Sequence, residues 1–349
     1  MNGDVDVDVL VVGGGPVGLA AAIEARLAGL SVAVVEPRTA PIDKACGEGL
    51  MPGALAALAR LGVDPAGHLL AGIAYVSGRR RVEHRFTGGP GRGVRRTVLH
   101  AALSARADAL GVAWVGARVT SLTQDHTGID AAGLRARHLL ACDGLHSSVR
   151  RLAGLEAPAR RGDGVGRSGR RRFGLRRHYR VAPWGDVVEV HWGRTAEAYV
   201  TPVADGLVGV ALLGPAHLDL DATLAGLPEL AGRLAGAEPD GPVRGAGPLR
   251  QRSTARTAGR VLLVGDASGY VDALTGEGLR VGFAQAAAAI AHLDDPAGYE
   301  RAWTLATRDY RVLTTSLVAA ATSPARGAVV PLAAAAPWLF AAAVERLAR

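Results

Sequence analysis

The sequence predicts a mixed α/β chain (α+β overall): a Rossmann-like βαβ domain, a mostly antiparallel β-sheet domain and a helical C-terminus. Three observations predict it. Residues 7–36, "VDVLVVGGGPVGLAAAIEARLAGLSVAVVE", read strand, glycine loop, helix, strand; residues from about 173 to 252 alternate as antiparallel strands do; and residues 327–344, "GAVVPLAAAAPWLFAAAV", carry no charge. At 349 residues and 49% apolar, the chain has material for one large or two ordinary domains.

The first unit is built from a β-branched apolar run, Val7 to Val12, followed by Gly13, Gly15 and Gly18 in G-x-G-x-x-G spacing. The glycines remove side chains where backbone must meet a pyrophosphate, and a helix from Pro16 to Ala28, capped by Gly29, aims unpaired N–H groups at it. Glu36 closes the second strand, where a carboxylate takes ribose hydroxyls; an acid there argues against a 2′-phosphate, leaving NAD or FAD. Next comes an irregular loop, "TAPIDKACGEGLMPG", whose Lys44, Cys46 and Gly47 suit a segment that follows a ligand rather than packs a sheet. "RRTVLHAALSARADALGVAWV" gives a helix and a strand, and "GLRARHLLACDGLHSSVRRLAGL" gives a strand, a turn at Asp143-Gly144 and a helix start. The runs "FGLRRHYRV", "VVEVHW", "AYVTPV" and "LVGVALL" then alternate, and "GRVLLVGDASG" is a strand entering Gly265-Asp266.

The ordered set of G-x-G-x-x-G with Glu36 and Arg38, "DG" at 143–144 followed by "SSVR", and "GDASGYVDALTGEG" at 265–278 resembles the glutathione-reductase-type FAD fold. That fold is used by single-component aromatic hydroxylases, flavin-dependent halogenases and geranylgeranyl reductases. The resemblance implies FAD as cofactor. It implies that Gly265 and Asp266 hold its ribitol or pyrophosphate, that Gly276 and Gly278 let backbone approach the isoalloxazine, and that a helix from Leu279 points its N-terminus at the flavin ring. Arg96 matches an arginine that contacts FAD in this superfamily, with a surface arginine as the equal alternative. The implied division is a discontinuous FAD domain (1–75, 95–158 and 255–298), a β-sheet substrate domain (76–94 and 159–254) and alanine-rich helices (299–349).

The leading expectation is an oxidoreductase of secondary metabolism, a monooxygenase acting on a lipophilic aromatic or polyketide-like molecule, with NAD(P)H as transient reductant and dioxygen. "GEGLMP" favours it, whereas "KACGEGL" and "GDASG" with Glu277 are closer to reductases of isoprenoid or quinone double bonds, the second reading. A non-catalytic FAD-stabilised scaffold is the alternative of another class. Halogenation is disfavoured, because Glu197 and Tyr199 stand where halogenases carry a tryptophan pair. Tyr199, His178 and His191 are the candidates for facing substrate or moving a proton.

The net charge of +8 is mostly arginine in a high-Arg, high-Ala, high-Gly background. The nine-arginine stretch 160–180 has few interleaved aromatics and reads as a solvated loop, so no nucleic-acid partner is expected. Two cysteines support neither a disulfide framework nor a four-ligand metal site; Cys142 reads as core, and no disulfide is expected. The acidic N-terminus lacks the basic residues of a secretion signal, so a cytoplasmic location is expected. Segment 327–344, broken by Pro331 and Pro337, reads as a pair of short buried helices, with a lid or a peripheral membrane contact as the sharper alternative.

Overall fold

The computed structural model describes residues 5–158 and 171–349. Its first sheet has the order β17 (Thr257–Ala258), β18 (Val261–Leu263), β11 (Leu134–Ala141), β1 (Val7–Val12), β2 (Val32–Val35), β8 (Ala113–Val115). From β18 to β8 the neighbours run parallel, with Val11 opposite both Leu140 and Val34. Such strands are covered on both faces, which is why β2 and the Val9–Val12 part of β1 read as unbroken apolar runs. A hairpin of β9 (Leu122–Gln124) and β10 (Ile129–Ala131) extends β11.

Helix α1 (Pro16–Leu27) lies on this sheet with α3 (Arg96–Ala109) and α7 (Gly278–Ala291) beside it. Its buried face is small, Ala20 to Ala22 and Ala25 around Leu19 and Ile23, so the helix sits close to the strands. α2 (Pro52–Arg60) completes the layer, and Val149 of the short α4 (Ser148–Leu152) packs on the opposite face of the sheet with Leu10 and Val12.

The second sheet has the order β16 (Glu238–Ala246), β12 (Phe173–Arg180), β15 (Leu207–Gly214), β14 (Glu197–Ala204), β13 (Val187–Trp192), β5 (Gly72–Ser77), β6 (Arg80–Arg85). All its pairs are antiparallel except β13 with β5. The expected boundary at residue 75 falls inside β5 and needs correcting, because the sheet takes that strand from Gly72 onward. β16 was not visible in the sequence: it is an exposed edge strand with Pro239 and Pro242, a place where prolines do not interrupt a ladder. A small sheet of β3 (Gly49–Leu50), β7 (Gly91–Gly93) and β4 (His68–Leu70) bridges the two units, and α5 (Leu220–Ala225) and α6 (Pro228–Arg233) cover the outer face of β14 and β15.

Residues 160–170 of the arginine stretch lie outside the described residues. Within β12 and just before it, Arg172, Arg176, Arg177 and Arg180 each pair with a carboxylate: Glu197, Asp43, Asp221 and Asp240. These arginines hold strands and loops in place.

The C-terminus continues through α8 (Pro296–Ala321), a turn at Pro324–Ala328, α9 (Val329–Ala335) and α10 (Pro337–Ala348). No single helix among the described residues is long and apolar enough to cross a membrane. The expected buried pair exists as α9 and α10, but only one face of each is buried: Val330, Phe340 and Val344 pack inward, while Leu332, Trp338 and Leu339 stay exposed. The segment is anchored by a buried ionic cluster. Glu197, wholly inaccessible, sits between Arg172 and Arg326, and Arg172 also donates to Asp272. Glu197→Ala should therefore cost ~3–5 kcal/mol, because Arg326 loses its counter-charge and Arg172 is left with Asp272 alone. Urea unfolding measures it, and a midpoint equal to wild type would rule out this anchor.

Candidate functional site

The C-terminal ends of β1, β11 and β18 open into one cavity that runs from the glycine loop to the second sheet and reaches α10. Gly15, Arg38, Lys44, Arg96, Asp143 and Asp266 line one end of it. Sequence positions as far apart as 15 and 278 thus meet on a single wall.

The three fingerprint glycines are not equivalent. A Cβ on Gly13 (φ +105°) would lie 2.5 Å from the Cys142 carbonyl oxygen, and one on Gly18 would lie 1.9 Å from that of Gly13. Both glycines are needed by protein packing against protein. Only Gly15 faces the cavity, where an added Cβ meets nothing nearer than Arg96 Nη2 at 3.9 Å.

Glu36 is buried under this loop. Its Oε2 accepts from the Gly14 N–H at 2.9 Å, and Arg38 forks both oxygens at 2.8 Å. Burial alone would raise the Glu36 carboxyl, but the Arg38 hydrogen bonds and charge with the Gly14 N–H outweigh it and hold the group below its ordinary range. Below the loop, His100 Nε2 lies 2.9 Å from the Gly14 carbonyl oxygen. His100 was not singled out from sequence; only its spacing on a helix beginning at Arg96 hints at it. Burial pushes its pKa down, so the folded protein favours the neutral ring that donates to Gly14. Above its ordinary value of 6.5 the ring is neutral in both folded and unfolded chains. As pH falls through that value the unfolded chain binds the proton first, so stability drops. The melting temperature of wild type should therefore fall relative to His100→Gln below that pH, and parallel curves would remove His100 from this role.

Arg96 resolves as a cavity residue rather than a surface one. Its Nε is buried and has no hydrogen-bond partner, and Asp143 Oδ1 is likewise unpaired, while Asp143 Oδ2 caps α4 through Val149 N–H at 3.1 Å. Among the described residues no donor reaches the Asp266 carboxylate either. Burial raises its pKa, against the opposing charges of Lys44 and Arg96. Two unpaired cations, two incompletely satisfied carboxylates and a side-chain-free Gly15 in one cleft fit a group that brings both a pyrophosphate and hydroxyl donors. Gly265 (φ +66°) and Gly276 (φ +71°) take backbone conformations that glycine favours, and they line the same wall with Gly278 and Leu279.

That group is identified by the first half of the chain, since residues 6–168 match the FAD binding domain family. That segment is similar to FAD-binding domains. Over 168 residues the chain is 33% identical to rifampicin monooxygenase of Streptomyces venezuelae, covering 43% of this chain and 34% of that enzyme. Over 56 residues it is 57% identical to menaquinone reductase of Mycolicibacterium smegmatis, covering 16% of this chain and 14% of that one. The chain thus spans well under two thirds of the length of either relative. A flavoprotein/dehydrogenase from Cytophaga hutchinsonii shares the fold over 98% of this chain and 92% of its own, with TM-score 0.82 and 20% identity.

The FAD-binding domain gives Lys44, Cys46 and Gly47 to the cavity wall through its irregular loop. That loop is pinned by a further lining residue, which the sequence showed only as part of the "GEGLMP" segment. Glu48, at φ +62° and buried, accepts from Arg96 N–H at 2.9 Å and pairs with His178 Nε2 at 2.6 Å. Arg150 of "SSVR" is a second such residue: it is fully buried and donates to the Ala267 and Leu145 carbonyls, tying α4 to the Gly265–Ser268 turn. Both signals were present in the quoted motifs, but the partners that give them their roles, His178 and Ala267, lie far along the chain.

The proton-moving candidates need correction. His178 is bound to Glu48 and is absent from the cavity wall, and His191 pairs with Glu189 at 3.0 Å on the opposite face of β13 from Val188 and Val190, which do line the cavity. Strand alternation, invisible without knowing which face is inward, decides this for His191; His178 lies on the inward face, opposite Gly209, and is held behind the wall by Glu48. Tyr199 does line the cavity, but its hydroxyl donates to the Leu274 carbonyl at 2.7 Å. Cys46 and Cys142 are both free thiols, and burial pushes the Cys142 thiol well up.

Proposed function

We propose that this chain is an FAD-dependent monooxygenase that hydroxylates a neutral, lipophilic aromatic or polyketide-like molecule using NAD(P)H and dioxygen. The observation that carries the substrate class is the division of the cavity. Its cations, Arg38, Lys44 and Arg96, all stand at the cofactor end, whereas the far end is walled by Met51, Ile73, Val188, Val190, Leu213 and Leu249. Among the described residues no basic side chain lines that far end, and the charged residue of the wall near Met51, Glu48, is an acid, so a carboxylate substrate would enter without a counter-charge.

Bound FAD would supply the redox chemistry, taking hydride from NAD(P)H and activating dioxygen. Glu36 and Arg38 would hold its adenosine end, Lys44 and Arg96 its pyrophosphate, and Asp266 a ribitol or pyrophosphate oxygen. The N-terminus of α7 would face the ring, where its free N–H groups favour negative charge. The apolar walls exclude water from the reacting atoms. Orientation falls to few polar groups. The hydroxyls of Tyr199, Thr201 and Thr275 already bond to Leu274 O, Gly47 O and Thr314 Oγ1, whereas those of Tyr75 and Tyr270 have no partner among the described residues. Burial raises the Tyr75 pKa, so it remains an O–H donor at neutral pH.

Similarity to rifampicin monooxygenase over the longer stretch favours oxygen insertion. The shorter, more identical match to menaquinone reductase favours reduction of a quinone or isoprenoid double bond, and Cys46 on the cavity wall is compatible with either. The test is mass analysis after incubation with NADH or NADPH in air, using 1-naphthol, 1-naphthoate and a short-chain menaquinone as probes. We expect 1-naphthol to gain one oxygen atom and 1-naphthoate to be untouched. A menaquinone gaining two hydrogens with no oxygen consumed would replace the reading with the reductase, and turnover of the carboxylate alone would overturn the substrate class.

A further inference from the structure

The C-terminal helices present a surface that the FAD site does not use. Every exposed residue between 327 and 344 is glycine, alanine, proline, leucine or tryptophan, and Leu332, Trp338 and Leu339 are 66%, 70% and 53% exposed. Helix α8 adds Leu305 and Val312, 75% and 60% exposed, two turns apart on one face. Asp309, between them on that face, pairs with Arg346 of α10 at 2.6 Å, which brings the stripe beside α10. Contiguous apolar surface of this kind marks an interaction site.

Two further observations say what covers it. The surface is continuous with the cavity: Val344 and Leu347 of the same α10 line the cavity, and Phe340 packs at a tilt against the cavity residue Tyr75 with ring centroids 4.9 Å apart. It is also rimmed by basic charge. Arg79 and Arg80, in the hairpin between β5 and β6, and Arg194, in the turn after β13, are exposed and have no carboxylate partner among the described residues. Ser77 Oγ reaches the Trp192 carbonyl at 3.5 Å and Arg326 Nε donates to the Gly193 carbonyl at 2.7 Å, which ties hairpin and turn to the root of the apolar segment.

We propose that α9, α10 and the Leu305–Val312 stripe dock on an anionic lipid bilayer, from which a lipophilic substrate passes along α10 into the cavity. Tryptophan and leucine on the exposed face with flanking arginines is the pattern of an interfacial helix, and lipid phosphates would neutralise the three arginines. A second copy would bring the same patch, which offers them no unpaired carboxylate. The docking stands on the surface alone; the delivery of substrate rests on the proposed substrate class.

The test is sedimentation of the FAD-loaded protein with vesicles of phosphatidylcholine alone, or of phosphatidylcholine and phosphatidylglycerol in equal parts. We expect binding to the mixed vesicles that weakens at high salt, at least tenfold weaker binding by the double variant Leu332→Ser/Trp338→Ser, and loss of the preference for phosphatidylglycerol in Arg79→Ser/Arg80→Ser. These side chains are exposed, so flavin absorbance and melting temperature should match wild type and show the variants folded. Wild type that stays in the supernatant, or binding unchanged in the apolar double variant, would overturn the proposal. So would a dimer in light scattering that the double variant abolishes. Conversion of 1-naphthol in vesicle-free solution is read separately: its failure removes the proposed function and leaves the docking result standing.

Discussion

Gly15→Val should purify folded and colourless. Gly15 precedes α1 at φ −71°, a backbone conformation open to any residue, and its added Cβ meets only Arg96 Nη2 at 3.9 Å. Loss of glycine at this helix cap costs on the order of 1 kcal/mol or less, small beside the total stability of a domain. The two branches of valine, however, would fill the space between the glycine loop and Arg96, which is where a pyrophosphate has to lie. We expect at least a hundredfold loss of FAD affinity, on the order of 3 kcal/mol, read by the visible absorbance of purified protein and by titration of FAD into the apoprotein. Gly18→Val is the contrasting control: with its Cβ 1.9 Å from the Gly13 oxygen, it should fail to fold rather than fail to bind. A yellow Gly15→Val protein with wild-type flavin content would move the cofactor away from this loop.

Asp266 carries the second large effect, with opposite signs in the two states. Without cofactor its carboxylate is desolvated and lacks a donor, so its folded pKa lies above the ordinary value of 3.8. A raised acid favours the fold when protonated, so at neutral pH the ionised group destabilises the apoprotein. Asp266→Asn should therefore raise the melting temperature of the apoprotein at neutral pH, and the gain should vanish as pH falls into the carboxylate range. The same change should weaken FAD by ~1.5–3 kcal/mol, the worth of a hydrogen bond to a charged group, or roughly ten- to a hundredfold. Asp266→Ala should purify largely colourless. Calorimetry of the apoprotein across pH, beside FAD titration, separates the two effects; an apoprotein that Asp266→Asn destabilises at neutral pH would refute the assignment.

The FAD half of the site was legible because its signals are local. Gly13, Gly15, Gly18 and Glu36 fall within one strand–helix–strand unit, and the turn at Asp143-Gly144 and the Gly265-Asp266 turn each follow directly on a strand. The substrate half was not legible in the same way. His178 and His191 looked equally good as acid or base, since titratable residues on alternating strands look alike until the covered face is known. Glu48, His100 and Arg150 escaped notice because what each one does depends on a partner far along the chain: Glu48 and His178 are 130 residues apart, and Arg150 and Ala267 are 117.

The sequence by itself determined the class of cofactor, because backbone conformation, missing side chains and a strand-end carboxylate act over a few residues. The tertiary structure alone decided the rest. It showed that two of the three fingerprint glycines serve packing, that His191 faces away from the cavity while Glu48 stands between His178 and it, and that no basic side chain among the described residues lines its far end. It also left one face of α9 and α10 uncovered. Each of these depends on which surfaces meet across the fold, and burial is a property of the assembled chain that no single segment carries.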